Sequence, residues 1–253
     1  MSAILAVQKE DCVHVLADAA FYDRDGTLTS FHPKVLQVPR ANAVFASRGI
    51  AMAFPLFAAT CREFDYEGFD NFVRNAAEDV FRVMDGVFAR EAPGRGYEIV
   101  VAGWSEKDGC ARTLFHSAIS RYDTLPAGPV YLLGERATFG VALDCSAVEF
   151  DPQVHGVRAF EDARRTRCDL TCGEGEPVWG HSVGGYLNHA VVSPAGVDWD
   201  VLKFWPDTVG EKIKPEGEIL EEGWWELEGE GNWTIDDLCR WSNPISALHL
   251  QPQ

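Results

Sequence analysis

"AILAVQKEDCVHVLADAAFYDRDGTLTSFHPKVLQVPRANAVFA", Ala3 to Ala46, is the stretch whose reading decides the fold. Ile4, Leu5, Ala6 and Val7 form one short apolar run, and Val13, Val15 and Leu16 form another, with Lys9-Glu10-Asp11 as the turn between them. Ala20–Tyr22 and Thr27–Phe31 flank Asp23-Arg24-Asp25-Gly26. Val35–Val38 and Ala43–Ala46 follow, separated at Pro39. Short β-branched and apolar runs broken by turn residues predict an antiparallel meander.

Beyond the meander the apolar period changes. Phe69, Phe72, Val73, Ala76, Val80, Val83, Met84 and Val87 recur at helical spacing, which predicts a helix over 65–91, capped by Asp65 or Asp70 and stopped by Pro93-Gly94. This helix is expected to pack on a sheet containing residues 3–8, 12–17 and 43–47. A hairpin is expected from Glu98–Ala102 through Lys107-Asp108-Gly109 to Thr113–Ile119. Val130–Leu133 and Ala190–Ser193 read as later strands, and Val157–Arg165 as a short helix. Strands, a long helix, strands, a short helix and strands again give an α+β class.

The 253 residues, 46% of them hydrophobic, suffice for one large domain. We assign residues 1–210 to this body and 211–253 to an appendage. Between Glu211 and Asp237 stand ten carboxylates and two lysines, with Trp224, Trp225 and Trp233 among them. A net charge of −17 argues against nucleic-acid or anionic-membrane partners. No apolar run approaches the roughly 20 residues of a membrane helix. "MSAILAVQKEDC" has no basic flank or long apolar core of a secretory signal, and a cytoplasmic location is expected. Of the seven cysteines only Cys168 and Cys172 lie close in sequence. No second pair completes a zinc site, so reduced thiols are expected, with no metal and no cofactor.

Two short motifs invite a catalytic reading. Asp23-Arg24-Asp25-Gly26-Thr27 resembles the first motif of the haloacid dehalogenase superfamily, in which paired aspartates such as Asp23 and Asp25 carry phosphatase chemistry. The stretch after it is strand-like and interrupted by Pro33, where that motif requires a helix. Asp and Gly between two short strands are ordinary hairpin chemistry. Gly180-His181-Ser182-Val183-Gly184 matches the G-x-S-x-G elbow of α/β-hydrolases. Its context, "CGEGEPVW" before and "HAVVSPAGV" after, favours a Gly-rich loop leading into a strand.

The spacing of Ser2, Asp18 and Lys34, sixteen residues apart in each case, carries another resemblance. With the strand order around it, Gly49 in "ASRGI" and the late "GGYLNHAVVSPAGV", the chain resembles the N-terminal nucleophile (Ntn) hydrolases. Proteasome β-subunits and their bacterial two-component protease relative are the nearest branch. The resemblance implies two antiparallel sheets between helical layers. It also implies that the second helical layer is reduced, because "LLGERATFGVALDC" and a short helix stand where the family has a Gly-Ser-Gly turn and a long helix. It implies that Ser2, once Met1 is removed, is nucleophile and base, supported by Lys34 and Asp18, with the N–H of Gly49 facing the oxyanion. Amide-bond hydrolysis of a peptide or small amide would follow. A non-catalytic assembly or scaffold element of the same fold is the alternative, and the branch further implies a homo-oligomer. Seven of the eight tryptophans lie at or after Trp179, which suits a tail that docks against the body or a partner.

Overall fold

In the computed structural model of the chain, which describes residues 3–92, 96–118, 131–132, 135–171 and 176–216, the first strand is buried on both faces. In β1 (Ile4–Gln8), Ile4 and Ala6 point to one side and Leu5 and Val7 to the other, and all four are inaccessible to solvent. A strand apolar on both faces must be covered on both. β2 (Val13–Asp18) repeats the pattern and pairs antiparallel with β1.

The chain then forms a separate two-stranded ribbon, β3 (Ala20–Tyr22) and β4 (Leu28–Phe31), followed by β5 (Val35–Gln37) and β6 (Ala43–Gly49). Three helices come next: α1 (Ala53–Glu63), α2 (Phe69–Asn75) and α3 (Ala77–Glu91). The hairpin of β7 (Tyr97–Ser105) and β8 (Cys110–Ser117) turns at Gly109, with φ +63°. After it come β9 (Tyr131–Leu132) and β10 (Arg136–Phe139). A single π turn, Pro152–Gly156, opens α4 (Val157–Arg165). A two-stranded ribbon of β11 (Cys168–Asp169) and β12 (Trp179–Gly180) precedes the final hairpin, β13 (Tyr186–Ser193) and β14 (Gly196–Phe204).

Two five-stranded antiparallel sheets result, ordered β10-β1-β2-β13-β14 and β5-β6-β7-β8-β9. Their facing sides make one core: Ile4, Ala6, Val13, Val15, Ala17 and Ala190 against Val35, Val44, Ala46, Val100, Ala102 and Phe115. The outer side of the second sheet carries α1–α3, through Phe45, Phe57, Phe72, Val80, Phe81 and Met84. On the outer side of the first sheet, Leu5, Val7, Leu16 and Leu187 pack under Ala159 and Phe160 of α4. The class is α+β, with antiparallel sheets and four α-helices among the described residues.

The predicted helix over 65–91 is two helices, broken at Ala76, where φ is −128°. Neither Asp65 nor Asp70 caps it. The amides of Phe69 and Asp70 donate to Glu106, 2.9 and 3.1 Å away, across the β7–β8 turn. Asp70 instead accepts from the Ser105 hydroxyl and the Lys107 amide. Residues 3–8 and 12–17 do not share a sheet with 43–47, because β1 and β2 lie in one sheet and β6 in the other. Helix α1 adds an element that the apolar spacing of 65–91 does not announce. No helix among the described residues is long and apolar enough to cross a membrane.

Candidate functional site

Two of the sequence-selected residues meet where β2 ends. The Lys34 ammonium donates to Asp18 Oδ2 at 2.8 Å, and their side chains are 1% and 0% exposed. Asp18 accepts two further hydrogen bonds, both 3.1 Å: Oδ1 from the amide of Ala3 and Oδ2 from the amide of Ala20. The carboxylate therefore ties three chain segments together. The Lys34 ammonium also lies over the Phe21 ring, 5.1 Å from its centroid. Burial pushes the Lys34 ammonium below its usual range, and the adjacent Asp18 charge and hydrogen bond oppose that shift.

Ser2 lies outside the described residues, as does Met1. The contact that points toward it is the Ala3 amide, whose nitrogen is the atom bonded to Ser2 and which Asp18 holds.

Gly49 closes β6, opposite Tyr97. Val35, the residue after Lys34, pairs with Ala46, the residue before Ser47. Gly49 then lies two positions further, about 7 Å along the strand, at the same end of the sheet. Its φ of +93° suits glycine, and a Cβ there would fall 2.5 Å from the Gly96 carbonyl oxygen. We expect Gly49→Ala to lower stability by about 1–3 kcal/mol, from left-handed strain together with that clash. Chemical denaturation measures this, and a change within about 0.5 kcal/mol would mean the strand end relaxes freely.

Ser47 is the residue that sequence reading missed. It is fully buried, and its hydroxyl has no hydrogen-bond partner among the described residues. By strand alternation it shares a face with Phe45, toward the helices. A lone Ser inside "FASRG" carries no sequence signal, and the β5–β6 pairing places it one residue beyond Ala46, the partner of Val35. The next residue, Arg48, forms a buried ion pair with Glu98 on β7.

The other motifs resolve into structure. Asp23 and Asp25 sit in the exposed turn of an antiparallel ribbon, where Asp23 Oδ1 accepts from the amides of Asp25 and Thr27. That is hairpin geometry rather than the end of a central parallel strand. Ser182 lies in a loop between β12 and β13, nearly buried, and receives a contact from the Cys168 thiol at 3.4 Å. The glycines after it have a packing role. The Gly184 carbonyl accepts from the Ala19 amide, and a Cβ on Gly185 would meet the Phe31 ring at 2.6 Å. The Gly-Gly lead-in to β13 is thus pressed against the chain just past Asp18.

A second buried polar cluster lies further along β2. His14 Nδ1 and His189 Nε2 are 2.9 Å apart with their rings stacked, and Phe150 meets His14 edge-on. Burial pulls both imidazoles down to about 4, helped by Lys9 at His14 and by His14 at His189. The Cys12 thiol stands 3.6 Å from His14 Nε2, and burial raises it to about 11. Among the described residues no set of three or more His, Cys, Asp or Glu side chains is arranged to hold a metal, and Cys12, Cys61, Cys110, Cys145 and Cys168 are free thiols.

No protein-family model matches the chain, and no curated protein matches its sequence.

Proposed function

We propose that the chain adopts the Ntn-hydrolase arrangement and hydrolyses an amide bond at the site built around Asp18 and Lys34. The observation that carries this reading is the fully buried pair, whose carboxylate also grips the amide of the residue next to Ser2. An ion pair kept only for stability is a weak use of a core position, since desolvation offsets most of its Coulomb energy. Two antiparallel sheets with helices outside both, and a positive-φ glycine at the same sheet end, support the same reading.

In this proposal Met1 is removed and Ser2 supplies both nucleophile and base. A free α-amine titrates near about 7.7–8.0 and accepts the hydroxyl proton at neutral pH. Ser2 Oγ adds to the amide carbonyl, and the N–H of Gly49 meets the oxyanion. The leaving amine departs with the proton, and water then hydrolyses the ester under the same base. Lys34 favours the deprotonated amine, and Asp18 keeps Lys34 charged and oriented. The proposed substrate is a peptide or small amide, and the proposed assembly is a homo-oligomer.

Intact mass and active-site labelling test this together. We expect a mass lacking Met1 and one equivalent of label from a β-lactone probe, absent in Ser2→Ala. Labelling should slow by about a hundredfold or more in Lys34→Met, the scale of a lost electrostatic stabiliser in an active site. Retained Met1 and no labelling would sink the hydrolase and leave a non-catalytic framework of the same fold.

A further inference from the structure

Three cations of this acidic chain gather away from Asp18. A cleft of about 390 Å³ opens between the β3–β4 turn, the β11–β12 ribbon and the segment after β14. Arg167, Lys212 and Lys214 line it with one carboxylate, Asp25, and with Trp179, whose side chain is half exposed. The segment carrying the lysines is firmly seated. The Leu28 amide donates to the Glu211 carbonyl at 2.9 Å, and Ile213 is buried beside Ala20 and Leu28. The lysines are thus held at the cleft by their backbone, and the Lys214 ammonium stands 3.8 Å from the exposed Glu211 carboxylate, a loose pair that an incoming carboxylate can replace.

We propose that this cleft is the docking site of the acidic, tryptophan-bearing segment 217–237 of the same chain. The described chain ends at Glu216, directly after Lys214 and Pro215, which line the cleft. Residues 217–253 hold eight carboxylates and a single arginine, with Trp224, Trp225 and Trp233 among the acids. The charges are complementary: Arg167, Lys212 and Lys214 outnumber Asp25 on the wall, with Glu211 only loosely paired to Lys214, and Glu218, Glu221 and Glu222 follow Glu216 within a few residues in sequence. The exposed Trp179 ring offers an indole an offset or edge-to-face partner. Reach is no constraint, because the segment follows Glu216 directly in sequence. The inference does not depend on the hydrolase reading.

The test uses the full chain and a glutamate-specific protease, with cleavage at Glu221–Glu230 followed by mass spectrometry. Wild type at low salt should be cut there on the order of tenfold more slowly than Lys212→Gln/Lys214→Gln, the combined effect of a few exposed ion pairs and one ring contact. High salt should bring wild type to the variant's rate. Trp179→Ala should lose part of the protection at both salt concentrations. Circular dichroism and the cutting rate of the body must stay unchanged in the variants, and Lys212→Ala alone serves if the double variant fails that check. Equal rates in wild type and the lysine variant overturn the proposal, as does protection that survives the double substitution. Protection that vanishes on dilution overturns it too, because the segment then sits on a second copy.

Discussion

Replacing Asp18 with alanine should cost about 3–5 kcal/mol of folding stability, the scale for leaving a buried charge without its counter-ion. Lys34 would keep its ammonium at 1% exposure with no carboxylate beside it. The amides of Ala3 and Ala20 would lose their acceptor at the same time. The double variant Asp18→Ala/Lys34→Met should recover the part of the loss that comes from the unpaired ammonium, while the Ala3 and Ala20 amides stay without their acceptor. Urea denaturation of the single and double variants measures both quantities. A single-variant loss below about 1 kcal/mol would mean that water reaches Lys34, and the site would not be the dry one described. If the proposed function is right, the double variant should be more stable than Asp18→Ala and still catalytically dead, which separates scaffold from chemistry in one protein.

The second large effect is acid sensitivity from His14 and His189. Each falls from about 6.5 when unfolded to about 4 when folded, because burial penalises the imidazolium. Below the unfolded value the unfolded chain takes up protons that the folded chain refuses, so stability drops as pH falls from about 6.5 toward 4. Two such groups give at most about 2.7 kcal/mol per pH unit in that window. Asp11, Asp151 and Asp200 temper the penalty, since each raises one of the two imidazoles, while Lys9 adds to it. Stability measured by urea at pH 7, 6.5, 6 and 5.5 should therefore decline before most carboxylates begin to protonate. His189→Gln should halve the slope, since one titrating ring remains. A stability constant from pH 7 to 5.5 would show that both rings reach solvent.

The sequence reveals elements more readily than their partners. The runs at Ile4–Val7 and Val13–Leu16 and the helix at Val157–Arg165 are legible because period and turn residues are local properties. Sheet membership is not local. β1 and β6 read alike as apolar runs, and only packing on both faces assigns them to opposite sheets. Helix α1 lies outside the 65–91 apolar spacing, and its Pro55 sits in the first turn, where a helix tolerates it. The cap on α2 comes from Glu106, far along the chain, so no local rule finds it. At the site, Asp18 and Lys34 are legible because the resemblance fixes their spacing. Ser47 becomes visible only through the pairing of β5 with β6, and the cleft beside Lys212 only through three distant segments meeting.

The strand pairings also set a timetable for synthesis. The second sheet and its helices are nearly complete once Ser117 has emerged, because β5 through β8 pair in sequence order. The β1–β2 hairpin, made first, waits for its neighbours. β10 arrives later, and β13 pairs with β2 across roughly 170 positions. At about 5–20 residues per second the ribosome needs roughly 4–14 s to pass from Ser117 to Leu187. Leu5, Val7 and Leu16 lack helix α4 until Arg165 has been made, and lack Leu187 of β13 for the whole interval. The newborn chain thus displays a bare apolar hairpin for seconds, which makes it a natural client for chaperones that bind at the tunnel exit.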